Sequence, residues 1–548
     1  MRVMAKPLKG SEFKFMAPDR IGAAGAEEDV AYLRQCFVDT GNLAVLKDCS
    51  HPARIILGRT GAGKTALLLM LKEGEERVLM LEPSALSLQY LSNSTILQYL
   101  SNLGVDLNLF YRLLWRHIFA VELIRLRYNV DSEAAQQSFV ERLRSLFAST
   151  SKSKEKALGY LMQWGEKFWE DSEVRVKDIT TTLERKLRAD AGIDIRAIQA
   201  QTSAHSDTSV TERKEVVKRL QDVVNSIQIA ELGQVIQILR DDLLHEPQPR
   251  CYIVIDKLDE QWVDDSIRYR LIRALLETVK DFAVIKSGKI IVALRRDLID
   301  RVTRLTRDAG FQEEKYEPLY LPIDWKAKDL LAVLDRRVQT LVSRRYTSGD
   351  VTYKNVLPPE IDGQAIDDYL VERTLYRPRD IILFFNACIR QAVDSPTITA
   401  SKLKDAEAEY SELRLRSLQD EWVAEFPELL DLAIMVLRKK PRSFRVGEVS
   451  DDEIEEACLK IATAKPRSPA RMHADCMDVM NDDVSPGDFR NMLFAIFYRV
   501  GLVGLKLETF TTMSWSFRTH TRIRKDEISD ETGVTINPTF YRVLGVKP

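Results

Sequence analysis

The chain has 548 residues, of which 45% are hydrophobic and 30% are charged, as is usual for globular domains rich in helix. Its formal net charge is −2, so the whole chain has no attraction to nucleic acid or anionic membranes, and any basic site must be a local patch. The length corresponds to roughly three or four domains.

The cysteine pattern bears on the cellular compartment. The six cysteines are scattered and contain no C-x-x-C pair: Cys36, Cys49, Cys251, Cys388, Cys458 and Cys476. This favours reduced thiols in a cytoplasmic protein over a disulfide framework or a zinc site. Residues 1–10 lack the apolar centre of a signal peptide. Charges interrupt the longest apolar stretches, such as Leu107–Leu126, so we expect no membrane span.

The first 50 residues form a lead-in to a predicted strand, Arg54–Leu57. Within the lead-in, Ala26–Phe37 has helical periodicity, and Asp39–Gly41 predicts a turn. A Gly-rich turn follows the strand, and the periodic apolar residues from Thr65 onward predict a helix. This strand–turn–helix order is the setting that a phosphate-binding loop needs.

The Gly-rich turn matches the phosphate-loop pattern G-x-x-x-x-G-K-S/T (Walker A). Glycines let the backbone wrap a triphosphate with its N–H groups inward, at the positive end of the next helix. We expect Lys64 to reach the β- and γ-phosphates and the Thr65 hydroxyl to hold Mg²⁺. A turn that binds nothing is the weaker interpretation, and the predicted ligand is Mg-ATP. The predicted nucleotide-binding residues are Gly58, Arg59, Thr60, Gly61, Ala62, Gly63, Lys64 and Thr65.

After a short strand at Arg77–Leu81, a helical insertion replaces the strand–helix alternation between about residues 105 and 248. It carries an apolar stripe from Val216 to Leu239, preceded by a capping box at Ser209–Glu212. The stripe either packs against its own helices or binds a partner protein or a second copy, and we expect the insertion to be dispensable for nucleotide binding. The other predicted helices of the insertion are Leu107–Arg127, Ala157–Trp169 and Val174–Leu187.

A second apolar strand, Cys251–Ile255, ends in the sequence Asp256-Lys-Leu-Asp-Glu260. A carboxylate at the end of a parallel strand lies at the ligand-binding edge of the sheet, so we expect Asp256 to bind Mg²⁺ (Walker B). Asp259 and Glu260 are both candidates for the acid that polarises the attacking water. A solvated turn is the alternative, and it is less favoured because the segment follows a phosphate loop.

A helix at Ser266–Phe282 leads to a third strand, Lys289–Leu294, which ends in Arg295 and Arg296. These arginines are candidates for sensing the γ-phosphate or contacting a neighbouring subunit. The alternative is a salt bridge to nearby carboxylates.

From Trp325 to about Val393 the pattern is helical, which predicts a lid. Arg377 and Arg379 lie where a helix starts, with Pro378 early in it. They either reach the nucleotide from this lid or belong to an ordinary helix start.

The last segment predicts a winged helix, with helices near Glu428–Arg438, Asp451–Ala462 and Phe489–Val500 and strands at Leu502–Lys506 and Thr512–Arg518. The predicted domains are therefore 1–50 (lead-in), 51–324 (core), 325–399 (lid) and 400–548 (winged-helix unit). A group of cations either contacts DNA phosphates or is a solvated turn at a helix C-terminus. This basic cluster consists of Arg438, Lys439, Lys440, Arg442 and Arg445.

These motifs resemble a bacterial family of P-loop ATPases of largely unassigned function, near the KAP and STAND groups of signalling NTPases. The similarity lies in Gly58–Thr65, Ile255–Trp262, Ala293–Asp297, Arg377–Asp380 and Ile536–Tyr541. It implies an ATPase core, a helical lid and a winged-helix tail, often in proteins of regulation or anti-phage defence. KAP-like relatives often carry a second Asp directly after the metal-binding one, and this chain has Lys257 there. The resemblance favours Asp259 as the water-polarising acid, because it lies where relatives place theirs, with Glu260 as the second candidate.

The sequence thus predicts an α/β P-loop ATPase of the additional-acid type, with a parallel sheet. The expected function is ATP-driven conformational switching, in which nucleotide closes the lid and hydrolysis releases it. The alternative is a nucleotide-binding scaffold or DNA-bound regulator with little or no turnover. A small-molecule kinase is disfavoured, because it needs an acceptor pocket and a compact lid near the loop.

Overall fold

A computed structural model describes residues 13–86, 105–130, 133–148, 229–306, 313–344, 351–508 and 511–547, with isolated residues between 97 and 186. Apart from such isolated residues, the predicted helices Ala157–Trp169 and Val174–Leu187 lie outside the described residues. The capping box at Ser209–Glu212 and the apolar stripe from Val216 to residue 228 also lie outside them.

The elements have the following bounds. Between residues 13 and 323 they are α1 (Val30–Cys36), α2 (Asn42–Lys47), β1 (Ile55–Gly58), α3 (Lys64–Gly74), β2 (Val78–Leu81), α4 (Asn108–Tyr128), α5 (Glu133–Ala148), α6 (Ile229–Ile238), β3 (Cys251–Ile255), α7 (Asp265–Asp281), β4 (Gly288–Arg295), α8 (Arg296–Leu305) and β5 (Tyr320–Pro322). From residue 324 onward they are α9 (Ala327–Ser343), α10 (Tyr353–Val356), β6 (Glu360–Ile361), β7 (Gln364–Ala365), α11 (Ile366–Glu372), α12 (Pro378–Gln391), α13 (Ala400–Trp422), α14 (Leu429–Leu437), β8 (Ser443–Arg445), α15 (Asp451–Ala462), α16 (Arg471–Met480), α17 (Pro486–Val500), β9 (Val503–Lys506), α18 (Ser516–Thr519), β10 (Gly533–Ile536) and α19 (Tyr541–Leu544).

The chain divides into two compact units. The sheet unit comprises Asp39–Arg59 and Lys64–Ile323. The helical unit comprises Met1–Val38, Thr60–Gly63 and Asp324–Pro548, so it includes the tip of the phosphate loop.

The sheet unit contains five parallel strands in the order β2-β3-β4-β1-β5. Every residue of β1 and β3 is buried, as expected for strands covered on both faces, which need continuous apolar runs. Strand β4 lies between β1, which leads into the phosphate loop, and β3, which ends at the predicted metal-binding carboxylate. An extra strand at this position defines the additional-acid division of P-loop NTPases, and it confirms the predicted fold class.

The first helix of the insertion, α4, is part of the core of the sheet unit. Trp115 is buried, and its Nε1 donates to the main-chain oxygen of Leu271 in α7 at 3.0 Å. Phe119 packs edge-to-face on Phe282, with ring centroids 5.7 Å apart. Removal of this helix would expose a large apolar surface of the sheet unit. The expectation that the insertion is dispensable for nucleotide binding stays a prediction.

The helical unit has two hydrophobic cores that share one helix. Phe15, from the N-terminal lead-in, is buried in the first core together with residues of α9 and α12. Helix α13 contributes Leu403 and Tyr410 to this core and Leu415 and Leu418 to the second. The predicted domain boundary at residue 400 therefore coincides with the start of a helix that belongs to both cores.

The second core contains a three-stranded antiparallel sheet in the order β8-β10-β9. Its elements follow the order α14, β8, α15, α16, α17, β9, α18 and β10. The three predicted helices correspond to α14, α15 and α17 and the first predicted strand to β9, whereas β8, α16 and α18 were not predicted. The winged-helix unit stays a prediction. Helix α17 begins at the side-chain cap of Ser485, continues through Pro486 and ends at Gly501 with φ 90°, as capping preferences predict.

The predicted strand at Thr512–Arg518 is wrong. Within this segment only Ser514 forms a β-bridge, to Leu505. The strand that pairs with β9 along its length is β10. The alternating apolar residues of this segment form an aromatic contact, because the ring centroids of Trp515 and Phe517 lie 5.5 Å apart. The Trp515 ring also lies close to Gly504, where a Cβ atom would be 2.8 Å from it.

All six cysteines are buried free thiols. Among the described residues, no helix is both long enough and apolar enough to cross a membrane.

Candidate nucleotide site

The Gly-rich turn between β1 and α3 has the backbone conformation that its glycines permit. Gly61 has φ 78° and Gly63 has φ 95°, in the region that other residues enter only with strain. A Cβ atom on Gly61 would also lie 2.8 Å from the Cβ of Arg379. The turn thus adopts a loop that a larger residue at position 61 would distort, and the preceding strand and following helix are where the sequence predicts them.

Lys64 is directed back into the loop. Its Nζ donates to the main-chain oxygens of Gly58 and Arg59, each at 3.2 Å. Burial lowers the pKa of the Lys64 ammonium, while the carboxylates of Asp259 and Asp256 act in the opposite direction. Its hydrogen-bond partners are thus neutral carbonyl groups, so a phosphate anion fits the chemistry of this position.

Thr65 and Asp256 bring two oxygen ligands together. The Thr65 Oγ1 donates to Asp256 Oδ2 at 2.8 Å, and the other carboxylate oxygen accepts from the main-chain N–H of Lys257 at 2.8 Å. Among the described residues, no group of three His, Cys, Asp or Glu side chains is arranged to hold a metal. A hydroxyl and one carboxylate suit Mg²⁺, which retains waters and takes its other ligands from nucleotide phosphates.

The two candidate acids differ in their surroundings. Asp259 Oδ2 lies 3.7 Å from Arg295 Nη1, and its charge acts on Lys64. Both side chains are exposed, and the main-chain oxygen of Glu260 accepts from Arg268. The contact with Arg295 and the effect on Lys64 favour Asp259, and the identity of the water-polarising acid stays a prediction.

The two arginines after β4 also differ. Arg295 binds Asp297 through two hydrogen bonds of 3.0 and 2.8 Å and lies near Asp259, so the salt-bridge interpretation describes its contacts. Arg296 is the first residue of α8 and is partly buried.

Arg377 holds the phosphate loop by its backbone. It is buried, its Nε donates to Asp380 at 2.9 Å, and its Nη1 donates to Glu421 at 3.2 Å and to the main-chain oxygen of Thr60 at 2.8 Å. Arg377 therefore contacts the loop and is also the N-cap residue of α12, as expected for an ordinary helix start. Its predicted contact with nucleotide stays a prediction.

Arg379 lies against the loop and is the more open of the two. Its main-chain N–H donates to the oxygen of Gly61 at 3.4 Å, and its Nε donates to the main-chain oxygen of Ala24 at 3.2 Å. Burial lowers the pKa of the Arg379 guanidinium. The predicted contact of Arg379 with nucleotide stays a prediction.

Two residues near the site were not predicted. Glu82 follows β2 and binds Lys257 Nζ at 3.1 Å; an acid directly after an apolar strand is the signal that would have identified it. Trp325 donates from Nε1 to the main-chain oxygen of Ala62 at 2.8 Å, and no sequence motif reports a contact of that kind.

Comparison with known proteins gives partial matches. The family model of the FunZ-associated C-terminal helical domain matches residues 328–419. The chain is similar to the "Putative transposon gamma-delta 80.3 kDa protein" of Escherichia coli K12, with 20% identity over 417 residues. That match covers 74% of this chain and 52% of the relative, so the chain spans about half of the relative's length.

Two solved structures align along most of their length. A Walker-type ATPase of Pyrococcus abyssi matches with 12% identity and a TM-score of 0.35, covering 93% of this chain and 96% of that one. Cdc6p of Pyrobaculum aerophilum matches with 12% identity and a TM-score of 0.27, covering 96% and 94%. Because these TM-scores are low, the fold assignment rests on the strand order and the loop, and kinship with the KAP and STAND groups remains a hypothesis.

Proposed function

We propose that this chain is an ATPase that binds and hydrolyses Mg-ATP. The observation that carries the proposal is the contact of Thr65 Oγ1 with Asp256 Oδ2 next to the half-buried Lys64. A hydroxyl, a carboxylate and an ammonium at the carboxyl ends of parallel strands are the groups that a magnesium-bound triphosphate requires.

Each residue has a role in this proposal. Thr65 and Asp256 hold Mg²⁺, which when bound neutralises charge on the β- and γ-phosphate oxygens. Lys64 binds those oxygens, and the main-chain N–H groups of the loop surround them. Asp259 orients the attacking water and accepts its proton, with Glu260 as the second candidate.

The biological role is proposed on the resemblance described above. Nucleotide binding and hydrolysis switch the chain between two conformations in regulation or anti-phage defence. The alternative is a nucleotide-binding scaffold or DNA-bound regulator with little turnover. Phosphate release in the presence and absence of duplex DNA separates the two functions. The alternative predicts little or no phosphate release in either condition. Self-association or partner binding through the insertion also stays a proposal.

Titration calorimetry with ATP tests the nucleotide site. Lys64→Ala should abolish detectable binding, because it removes the cation from a site built for phosphate charge. Asp256→Asn should lose the gain in affinity that Mg²⁺ gives the parent, while binding in EDTA is retained. Lys72→Ala is the control, since Lys72 is an exposed lysine of the same helix. Tight binding of ATP by a folded Lys64→Ala variant would contradict the proposal.

A second candidate function is DNA binding by the C-terminal part of the helical unit. Two members of the basic cluster have acidic partners, since Lys440 binds Glu453 at 2.8 Å and Arg445 binds Glu531 at 2.5 Å. The other three are exposed and make no ion pair with any described residue. We call Arg438, Lys439 and Arg442 the open cations. Their charge is available to duplex phosphates.

A further inference from the structure

Three successive carbonyl groups of the phosphate loop accept hydrogen bonds from one part of the helical unit. Thr60 receives Arg377 Nη1 at 2.8 Å, Gly61 receives the main-chain N–H of Arg379 at 3.4 Å, and Ala62 receives Trp325 Nε1 at 2.8 Å.

The geometry of the peptide bond gives these contacts a consequence for the site. In a trans peptide the carbonyl and the N–H point in opposite directions. Donors that fix the carbonyls of Thr60–Ala62 therefore also fix the N–H groups of Gly61–Gly63, on the opposite side. Those N–H groups are the ones expected to bind phosphate.

The two backbone segments that supply the donors are both held by Phe517–His520. Asp324 is the residue before Trp325, and its Oδ1 lies 2.7 Å from His520 Nε2. Tyr376 is the residue before Arg377, and its ring lies 4.4 Å from the Arg518 guanidinium, which also donates to the Tyr376 hydroxyl.

Two further observations show how specific this attachment is. The Tyr376 ring stacks on Phe517, with centroids 6.1 Å apart. Tyr376 has φ 53°, a left-handed conformation that is strained for a non-glycine residue and persists where surrounding contacts hold it. The contacts of Phe517 and Arg518 with the Tyr376 ring therefore help to hold the backbone before Arg377, together with the hydrogen bond from the Tyr376 N–H to Thr374 Oγ1 at 3.2 Å.

We propose that Phe517–His520 is a regulatory element that sets the conformation of the phosphate loop. It contacts Asp324 and Tyr376, each of which directly precedes a residue that donates to a loop carbonyl. These donors are Trp325 and Arg377. Arg518 is exposed. The inference rests on the proposed ATP binding and specifies how the C-terminal part of the chain regulates that site.

Trp325, Arg377, Arg518 and His520 are positioning residues in this proposal, because they act on the nucleotide only through the loop backbone. Loosening the loop should weaken ATP binding, since part of the binding energy must then order the N–H groups. The chemical groups at Asp259 and Asp256 are unchanged. We therefore expect a change in the dissociation constant with little change in kcat.

The first test removes a single donor from the loop. Trp325→Phe deletes the indole N–H and should weaken ATP binding roughly 3- to 10-fold, the effect of one neutral hydrogen bond. Trp422→Phe is the matched control, because Trp422 is buried and its indole N–H has no hydrogen-bond partner in the described part of the chain. ATP affinity is measured by calorimetry, and kcat is measured as phosphate release at saturating ATP.

The second test acts on the regulatory element itself. The double variant Arg518→Ala, His520→Ala should weaken ATP binding by a similar factor and speed up hydrogen exchange at the amides of residues 60–63. Arg524→Ala is the control. Arg524 is an exposed cation that also lies between β9 and β10, and its ionic neighbours are Asp526 and Glu527.

Variants of Tyr376 test whether its ring is the part that the regulatory element contacts. Tyr376→Phe keeps the ring for Arg518 and Phe517 and should retain most of the affinity, whereas Tyr376→Ala should lose it. If the parent protein does not bind ATP, the proposed function fails. If the parent binds ATP but the variants match their controls in affinity and amide exchange, the proposed function stands and the regulatory element is refuted.

Discussion

Replacing Asp380 by asparagine should lower the free energy of unfolding by about 2–4 kcal/mol at neutral pH. Asp380 is fully buried; its Oδ2 accepts from Arg377 Nε at 2.9 Å, and its Oδ1 lies 3.3 Å from Arg414 Nε. Asparagine keeps the shape of the side chain but not its charge. The two guanidinium groups then remain buried without the anion that they share.

The pKa of Asp380 gives the lower end of this range. Burial alone would raise the pKa of the carboxyl group, but Arg377 and Arg414 lower it from 3.8 to about 2. A difference of this size corresponds to about 2 kcal/mol in favour of the folded state. Because the folded-state pKa is the lower one, the contribution is complete well above the unfolded value of 3.8 and is lost as the pH falls towards 2. About half should remain at pH 3.

Urea unfolding followed by tryptophan fluorescence measures this contribution at pH 7 and near pH 3. Asp362→Asn is the control, because Asp362 is exposed and pairs with Lys404 at the surface, where such a pair contributes at most about 1 kcal/mol. We expect the gap between parent and Asp380→Asn to narrow at low pH. A gap that is below 1 kcal/mol at pH 7, or that does not change with pH, would refute the reasoning.

Three further results are expected. Asp259→Asn should slow phosphate release by at least about tenfold with ATP binding retained, whereas Glu260→Gln should stay near the parent rate; the opposite order would move the base to Glu260. Replacing the three open cations by alanine should reduce the salt slope of duplex DNA binding by about 0.9 per lost phosphate contact, and a parent that shows no salt-dependent binding would rule out this role. Burial lowers the pKa of Lys289 to about 8, below its ordinary 10.5. The free energy of unfolding of the parent should therefore rise as the pH increases from about 8 to 10.5, and that of Lys289→Met should not. Equal pH dependence of the two free energies of unfolding would contradict this.

The sequence predicted the parts of the site that depend on local pattern. A phosphate loop is recognised because glycine spacing, the lysine and the flanking strand and helix are all consecutive in the chain. The strand endings at Asp256 and Arg295 were predicted for the same reason, because a buried run followed by polar residues marks the edge of a parallel sheet. The preference for Asp259 over Glu260 comes from the family resemblance and stays a prediction, and the charge of Asp259 on Lys64 is consistent with it.

The contacts of Trp325 and Arg377 with the loop could not be predicted. Every residue offers a main-chain carbonyl, so a donor that binds one leaves no pattern at the acceptor. The place of α4 was missed for a different reason. Its apolar residues predicted a helix correctly, but periodicity does not say against which partner a face packs. Alternating apolar residues at Thr512–Arg518 similarly predicted a strand where aromatic packing prevails.

The sharing of α13 by two cores has a consequence for how the helical unit melts. Neither core can lose α13 and keep its apolar residues covered, because Tyr410 belongs to one and Leu418 to the other. The two cores should therefore unfold together, as one cooperative calorimetric transition. A chain truncated before Ala400 would leave the first core open to solvent, and a fragment beginning there would expose the apolar side of its own first helix. A fragment that folds on its own must therefore contain both cores, even though their other helices and strands are distinct.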